Sequence, residues 1–281
     1  GGSSRSPARA AALPAPQVIA DGRATVNPRA AAAAHCGRLD HAPPFPSVPS
    51  PVERQALGPP DPDAPDGVAA ALAGRNLYFG NHLPDERQFA AGDFVGLALD
   101  PLYPKDVAHD LYDPLPVADC SVARIQAQDV FEHLQYERLP AILDDIYRAL
   151  APGGVFRLSV PDYRSPLLVA RSVFDENGEV IADVMMGGSV RYTPATGRRE
   201  AGFAPGGGSH IWFPTYDKVQ ALILRSQIRH CARIVFYHYF ATRTAYVADP
   251  LPDDEMPVTR APPRDMRAGG APISIIADFV K

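Results

Sequence analysis

The chain has 281 residues, 46% of them hydrophobic, which is enough for one α/β domain with a sizeable core. Its formal net charge of -5 and pI near 5.9 argue against a nucleic-acid partner, which needs a basic face, and favour a small-molecule or protein substrate. No apolar run approaches the roughly 18 residues of a membrane-spanning helix, so we expect no membrane partner and a cytoplasmic location.

Residues 1–70 are rich in Ala, Pro, Ser and Arg, with proline pairs such as Pro43-Pro44 and Pro59-Pro60. Such a segment buries too little apolar surface to offset its ordering entropy, so we predict a disordered or irregular arm. The composition also resembles an organelle transit peptide, although coding bias produces the same pattern, and we rank that interpretation lower. Whether the arm folds against the domain, makes a homodimer or hangs free stays open.

Short apolar runs bounded by turn residues predict strands in the next part of the chain, at residues 76–79, 94–99, 107–111 and 122–127. Apolar positions at helical spacing then predict a helix that begins at Leu139. The motif Pro152-Gly153-Gly154 is expected to end this helix, and a fifth strand is predicted at residues 155–160. Strands that alternate with helices indicate a doubly wound, mostly parallel α/β sheet.

Residues 164–213 are longer than an ordinary connection between a strand and a helix, and we interpret them as an insertion. Asn177-Gly178 lies between two short apolar runs and predicts a β-hairpin, while Gly206-Gly207-Gly208 predicts a glycine-rich lid. Thr215 is typical of a helix N-cap, and residues 232–240 and 274–280 predict two late strands. We therefore divide the chain into an arm, residues 1–70, and a domain, residues 71–281.

Four stretches of the domain resemble class I S-adenosylmethionine (SAM) dependent methyltransferases: DLYDPLPVADCSV, DVFEHL, ILDDIYRALAPGGVFRLSVPD and SIIADFVK. The resemblance spans residues 76–281 and is sharpest between Asp110 and Asp162. It implies a Rossmann-like sheet of seven strands with an antiparallel last strand, SAM as cofactor, and methyl transfer to a small-molecule or sugar-like acceptor by direct displacement. The alternative is a methyltransferase-like binding or scaffold protein that has lost SAM.

Ligands of such sheets bind beyond the carboxyl ends of the strands. In the family, an acidic residue that ends strand two binds the ribose hydroxyls, which implies Asp100, and the loop after strand three receives adenine, which implies Asp110 and Leu111. The loops after strands one and four face the methionine end, which implies contacts from Phe79, Gly80, Asn81, Gln128 and Asp129. The chain departs from the family's G-x-G pattern because His82 stands at the second glycine.

Three further residues are candidates for catalysis. His133 is either a general base for a substrate hydroxyl or amine, or a structural residue that packs at a helix start. His210 follows the glycine run and is either a substrate-facing residue on a lid or a buried histidine bonded to backbone. Asp162 ends the fifth strand, where it contacts substrate or caps a turn.

The cysteines Cys36, Cys120 and Cys231 are odd in number and widely spaced, which predicts reduced thiols. His230 and His238 lie in or beside a predicted strand without ligand spacing. We therefore predict no metal site.

Overall fold

The computed structural model describes residues 67–82, 86–88, 93–195, 197–203, 208–252, 254 and 256–281. Residues 1–66 of the predicted arm lie outside the described residues, as do Gly206 and Gly207 of the predicted lid. The last residues of the predicted arm are helical, so the folded domain begins before residue 71. None of the helices in the described part of the chain has the length and apolar character needed to cross a bilayer.

The strands in chain order are β1 (Asn76–Phe79), β2 (Phe94–Ala98), β3 (Val107–Ala108), β4 (Val122–Gln128), β5 (Leu150–Pro161), β6 (Ser172–Phe174), β7 (Val180–Asp183), β8 (Gly188–Thr193), β9 (Arg198–Phe203), β10 (Arg233–Phe240), β11 (Tyr246–Ala248) and β12 (Ser274–Val280). The helices are α1 (Gly67–Leu72), α2 (Leu139–Ala149), α3 (Pro166–Val169) and α4 (Tyr216–Leu224). Two 3-10 turns are formed by Phe131–His133 and Gln227–His230.

The main sheet has eight strands in the order β11-β10-β12-β5-β4-β1-β2-β3. Strands β1 to β5 pair in parallel, whereas β12 lies between β5 and β10 and is antiparallel to both. The predicted α/β, Rossmann-like sheet with an antiparallel last strand is confirmed. The edge strand β11 was not predicted, because its three residues are largely exposed and carry little apolar signal.

The core lies where the sheet meets α2 and α4. Leu77 and Phe79 of β1 are fully buried, and the ring centroids of Phe156 and Phe279 lie 5.5 Å apart across β5 and β12. The predicted helix at Leu139 is confirmed, and its buried apolar stripe packs into this core because its spacing places those residues on one face.

The predicted strand ends differ from the observed ones for local reasons. Strand β2 ends at Ala98, since Leu99 is 78% exposed, and β3 has only two residues. Strand β5 begins directly after α2, so Gly153 and Gly154 lie inside an irregular start of the strand and not before it. Gly154 cannot carry a β-carbon there, because that atom would lie 2.8 Å from the carbonyl oxygen of Ala151.

Residues 164–213 form α3 and two antiparallel pairs, β6-β7 and β8-β9. The first pair surrounds Asn177-Gly178, where the sequence predicts a hairpin, but the turn is longer than two residues. A carboxylate oxygen of Asp175 accepts hydrogen bonds from the amides of Asn177 (2.9 Å) and Glu179 (2.8 Å), which closes the turn. The second pair has no counterpart in the sequence prediction.

The cysteines correct one expectation. Cys120 is disulfide-bonded, whereas Cys231 is a free thiol. Burial raises the pKa of Cys231 to about 12, so it stays protonated near neutral pH. The prediction of reduced thiols is therefore wrong at Cys120.

Candidate functional site

The candidate cofactor residues gather at one edge of the sheet. Gly80 and Asn81 follow β1, Asp100 and Asp110 each lie two residues beyond β2 and β3, and Asp129 directly follows β4. Because these four strands are parallel, their carboxyl ends share one edge. The topology thus brings together residues that are up to 49 positions apart in the sequence.

Gly80 occupies a position that requires glycine. Its φ is +92°, and its amide donates a 2.7 Å hydrogen bond to the carbonyl oxygen of Leu97. A β-carbon at this position would lie 3.3 Å from a methyl carbon of Val130, on the loop after β4. Directly after β1, the chain therefore turns at a residue without a side chain, and this residue faces the loop after β4.

Asn81 connects the ends of β1 and β2. Its side-chain amide donates to the carbonyl oxygen of Asp100 (3.0 Å), and its side-chain oxygen accepts from the amide of Leu102 (2.9 Å). These bonds hold the loop that carries the exposed Asp100 carboxylate. Phe79, in contrast, is fully buried in the core, so only its backbone reaches this edge.

The loop after β3 is a tight turn held against the segment before α2. A carboxylate oxygen of Asp110 accepts a hydrogen bond from the amide of Tyr112 (2.9 Å), while Leu111 packs against the core. The Tyr112 hydroxyl accepts from the amide of Gln135 (2.6 Å), and the guanidinium of Arg138 stacks 3.7 Å from the Tyr112 ring centroid. The half-buried Asp110 is thus fixed at the sheet edge.

His82, the residue at the second glycine of the family pattern, does not point toward this edge. Its ring is fully buried and stacks on Tyr78 with the centroids 4.2 Å apart. Its Nδ1 lies 3.4 Å from a carboxylate oxygen of Asp106, which also accepts the amide of Gly96 in the middle of β2. The side chain therefore packs along the sheet face and does not crowd the strand ends.

The placement of Gln128 corrects its predicted contact with the methionine end. Its amide donates to the Tyr78 hydroxyl and to a Glu86 carboxylate oxygen, both at 3.2 Å, and its oxygen accepts from the amide of Thr259 at 2.9 Å. Side chains alternate along a strand, so Gln128 shares the face of its neighbour Gln126 and points into this buried network. We leave Gln128 out of the candidate cofactor contacts.

Asp129 has an unusual backbone at the point where β4 ends. Its φ of +53° lies in the left-handed region, which only Asn, Asp and Gly visit with any frequency, and such strain collects at functional sites. A carboxylate oxygen lies 3.1 Å from Nε of Arg260, a residue that no local pattern distinguished. Burial raises the pKa of Asp129, and the Arg260 guanidinium partly opposes this.

A second cluster joins the turn after β4 to the end of the insertion. The amide of Ile211 donates to the carbonyl oxygen of Glu132 (2.9 Å), and the indole of Trp212 donates to that of Phe131 (2.6 Å). These bonds place His210 beside Glu132, with Nε2 of the imidazole 3.6 Å from a carboxylate oxygen. The imidazole ring of His133 packs edge-on against that of His210, with centroids 4.8 Å apart.

His210 is buried and bonded through its ring to side chains. Its Nδ1 lies 2.5 Å from the hydroxyl of Tyr163, which in turn lies 2.6 Å from a carboxylate oxygen of Asp183. Burial lowers the pKa of His210 to about 3, with a contribution from His133 nearby, so its imidazole is neutral at physiological pH. Asp183, at the end of β7, had no signal in the sequence.

Asp162 is fully buried and joins the ends of β5 and β10. One carboxylate oxygen accepts from the amide of Arg164 (2.9 Å) and the other from the amide of Phe240 (2.6 Å). The first bond is the turn cap that the sequence offered as one interpretation. Because both oxygens bind backbone, we do not include Asp162 among the residues that contact substrate.

Asp162 also gives a pH-dependent prediction. Burial raises its pKa in the folded protein to about 6, against about 4 when unfolded, so its contribution to stability is complete below about pH 4 and is lost as the pH rises through 6. An asparagine side chain cannot titrate, so the unfolding free energy of the wild type minus that of Asp162→Asn should fall by about 2–3 kcal/mol from pH 4 to 7. Urea unfolding of both proteins measures this difference, and a value independent of pH would contradict the prediction.

A cavity of about 540 Å³ lies elsewhere, lined by α1, by residues 114–118 and by Arg148. These residues precede β1 and β4, so the cavity is at the opposite end of those strands from Gly80 and Asp129. Pro, Leu and Ala line most of it. It takes no part in the candidate site.

Comparison with protein-family models and with curated proteins finds no match. Among solved structures, the chain is similar to a SAM dependent methyltransferase from Mesorhizobium loti, with 17% identity, a TM-score of 0.38, and coverage of 74% of this chain and 90% of the other. A SAM dependent methyltransferase from Archaeoglobus fulgidus has 11% identity and a TM-score of 0.39, with 75% and 89% covered. A possible histamine N-methyltransferase from Thermotoga maritima has 13% identity and a TM-score of 0.39, with 74% and 82% covered.

We base the fold on the sheet itself, since these similarities are low. Its first five strands have the doubly wound order, with β1 in the middle, and β12 is inserted antiparallel between β5 and β10. The fold is class I methyltransferase-like. Function depends on the site and not on the fold, and is argued next.

Proposed function

We propose that the protein transfers a methyl group from SAM to a small-molecule or sugar-like acceptor by direct displacement. The observation that carries the proposal is the shared edge at which Gly80, with φ of +92°, lies beside the acidic residues that follow β2 and β3. A turned glycine and two carboxylates at consecutive strand ends are what the methionine, ribose and adenine parts of SAM require.

The residues at this edge fit the cofactor. The bare α-carbon of Gly80 leaves room that a β-carbon would fill, and His82 packs away from it. Asp100 is exposed and offers two acceptor oxygens to the ribose diol, while Asp110 and the backbone of Leu111 would receive adenine. We assign Asp129, on its strained backbone, to the methionine end.

The chain's main catalytic task is alignment. SAM supplies a methyl group on a positive sulfur, which is already electrophilic, so no covalent enzyme intermediate is required. The protein binds both reactants, orients the acceptor and excludes water. The segment at residues 208–213, bonded to the turn at residues 131–133, would form one wall of the acceptor site.

Among the three predicted catalytic residues, only His133 is partly exposed. It acts electrostatically on the carboxyl of Asp129, which supports a position beside the proposed methionine end. His133 is therefore the residue that we propose as proton acceptor for a hydroxyl or amine substrate. His210 and Asp162 are buried and hydrogen-bonded, so we assign them no proton transfer.

Calorimetric titration of the full chain with SAM, and separately with S-adenosylhomocysteine, tests the proposal. We expect dissociation constants in the micromolar range, which correspond to a standard binding free energy of about -8 kcal/mol. Guanosine serves as the control ligand, because it shares the ribose and lacks the adenine amino group. If the folded protein binds neither adenosyl compound, methyl transfer is wrong, and the binding or scaffold function becomes the better account.

A further inference from the structure

Glu132 and His210 form a cluster with His133, and the methyl-transfer proposal gives a role only to His133. One potential ligand atom from each of the three side chains lies within 4.8 Å of the others. Two of the residues come from the turn after β4, and the third comes from the far end of the insertion. The cluster therefore exists only in the folded chain.

Two of these side chains are buried without the hydrogen bonds that they need. Glu132 is 0% exposed and His210 is 1% exposed. Among the described residues, no other residue donates a hydrogen bond to the Glu132 carboxylate, and Nε2 of His210 has no hydrogen-bond partner. Leaving buried polar groups unpaired costs stability, so such groups call for an explanation.

The spacing of these atoms fits coordination better than a hydrogen bond. The 3.6 Å between His210 Nε2 and the nearer Glu132 oxygen is too long for a hydrogen bond. Two ligands at about 2.0–2.1 Å from a tetrahedral ion lie about 3.3–3.4 Å apart. The separation of this pair is close to that value, whereas the wider separations in the cluster, up to 4.8 Å, would shorten on metal binding.

The hydrogen bonds of His210 determine which ring nitrogen carries the lone pair. The Tyr163 hydroxyl donates its proton to Asp183, since a carboxylate can only accept, so its oxygen accepts from Nδ1 of His210. The proton of the neutral imidazole is therefore on Nδ1, and Nε2 presents its lone pair toward Glu132. At metal sites a ligating histidine is usually oriented by an acceptor at its other ring nitrogen, and here the Tyr163 hydroxyl, itself bonded to Asp183, is that acceptor.

His133 has the same tautomer for a simpler reason. Its Nδ1 lies 2.9 Å from the carbonyl oxygen of Ser209, which can only accept, so Nδ1 carries the proton. The lone pair of the neutral ring is then on Nε2. Both histidines are thus held in the form that binds a metal through Nε2.

The charges around the cluster leave Glu132 without a direct counter-charge. The two neighbouring carboxylates have cations of their own, Arg260 at 3.1 Å from Asp129 and Arg171 at 2.8 Å from Asp183. Within the described chain, no arginine or lysine lies at ion-pair distance from Glu132; its nearest ionisable neighbour is His210, and Arg260 acts on it from further away. A cation at the cluster would supply the missing charge.

We propose that Glu132, His133 and His210 bind a divalent transition-metal ion, of which zinc fits best. Two imidazole nitrogens and one carboxylate oxygen are ligands that suit zinc, whereas calcium and magnesium prefer oxygen alone. Three protein ligands leave a fourth position of the tetrahedron open. With the ion bound, His133 serves as a ligand and not as a proton acceptor. This proposal departs from the sequence-based prediction of no metal site.

Titration of the metal-free full chain with Zn²⁺ and with Co²⁺ tests the site. We expect one ion per chain, visible absorption bands of four- or five-coordinate cobalt, and no competition from millimolar Mg²⁺ or Ca²⁺. Glu132→Gln keeps the volume of the side chain and should weaken zinc binding at least about 100-fold. Tyr163→Phe leaves all three ligands and removes only the group that orients His210, and should weaken binding about 10-fold or more.

The matched control is His230→Asn, which removes an exposed histidine outside the cluster and should bind zinc as the wild type does. Circular dichroism of each metal-free variant checks that it folds, and Tyr163→Phe retains a test if Glu132→Gln does not fold. Wild-type binding that is absent at 100 µM zinc, or that is unchanged in both variants, would overturn the proposal. The titration contains no adenosyl ligand, so the proposed metal site and the proposed methyl transfer can fail separately.

Discussion

Replacing Asp100 by Asn is expected to weaken the binding of S-adenosylhomocysteine about 50- to 100-fold. The change removes the charged acceptor of two ribose hydroxyls, and such charge-assisted bonds together contribute about 2–3 kcal/mol. The side chain of Asn81 donates to the backbone oxygen of Asp100 and not to its carboxylate, so the substitution leaves the loop in place. Calorimetry of the wild type and Asp100→Asn measures the difference.

Glu176→Gln is the matched control for this experiment. It removes an exposed carboxylate from the β6-β7 turn. This turn is far in sequence from the strand ends that carry the candidate site. The affinity of this variant should equal that of the wild type. Equal binding by Asp100→Asn as well would show that the ribose is held elsewhere and would remove Asp100 from the site.

Arg157→Met is expected to destabilise the fold by about 3–5 kcal/mol, because it breaks a buried ionic network. The Arg157 guanidinium is 0% exposed and makes paired hydrogen bonds to Asp278 (2.7 Å for both) and to Asp254 (2.8 and 2.9 Å). Without it, the buried carboxylate of Asp278 loses its counter-charge between β5 and β12. Chemical denaturation at pH 7 measures the loss.

Two companion variants identify the cause. Arg267→Met removes a pair with Asp265 in which the guanidinium is 65% exposed and the carboxylate 10% exposed, and it should cost at most about 1 kcal/mol because solvent screens the guanidinium. The double variant with Arg157→Met and Asp278→Asn should recover part of the loss, since the buried charge is then gone. If Arg157→Met unfolds within about 1 kcal/mol of the wild type, the network contributes little to stability.

The position of the candidate cofactor residues at one sheet edge was predictable to a large extent because these residues adjoin strands. The local signal at each position is an apolar run that is followed by a turn residue or an acidic residue. The turn residue is Gly80, and the acidic residues are Asp100, Asp110 and Asp129. The topology places all such ends at one edge. This reasoning did not predict the position of the Gln128 side chain. Side chains alternate along a strand, so the exact register of β4 decides that Gln128 points to the face of the sheet.

The second cluster was not predictable as a unit. His133 and His210 each stood out as single residues, but their closeness depends on the path of an insertion of about 50 residues. The backbone bonds of Ile211 to Glu132 determine that path, and no spacing in the sequence reveals them. For the same reason the sequence offered neither Asp183 nor Arg260, which complete the charges around the site.

By itself the sequence determined the order and type of most elements of the main sheet, since apolar periodicity and glycine or proline turns act over short ranges. Only the tertiary structure decided which polar residues are available for chemistry. Burial and hydrogen bonding depend on contacts between distant segments. Because of such contacts, the His82 ring packs on the face of the sheet, and the Asp162 carboxylate accepts hydrogen bonds from backbone amides. Such contacts also brought Glu132 and His210 together, an arrangement that the sequence alone does not encode locally.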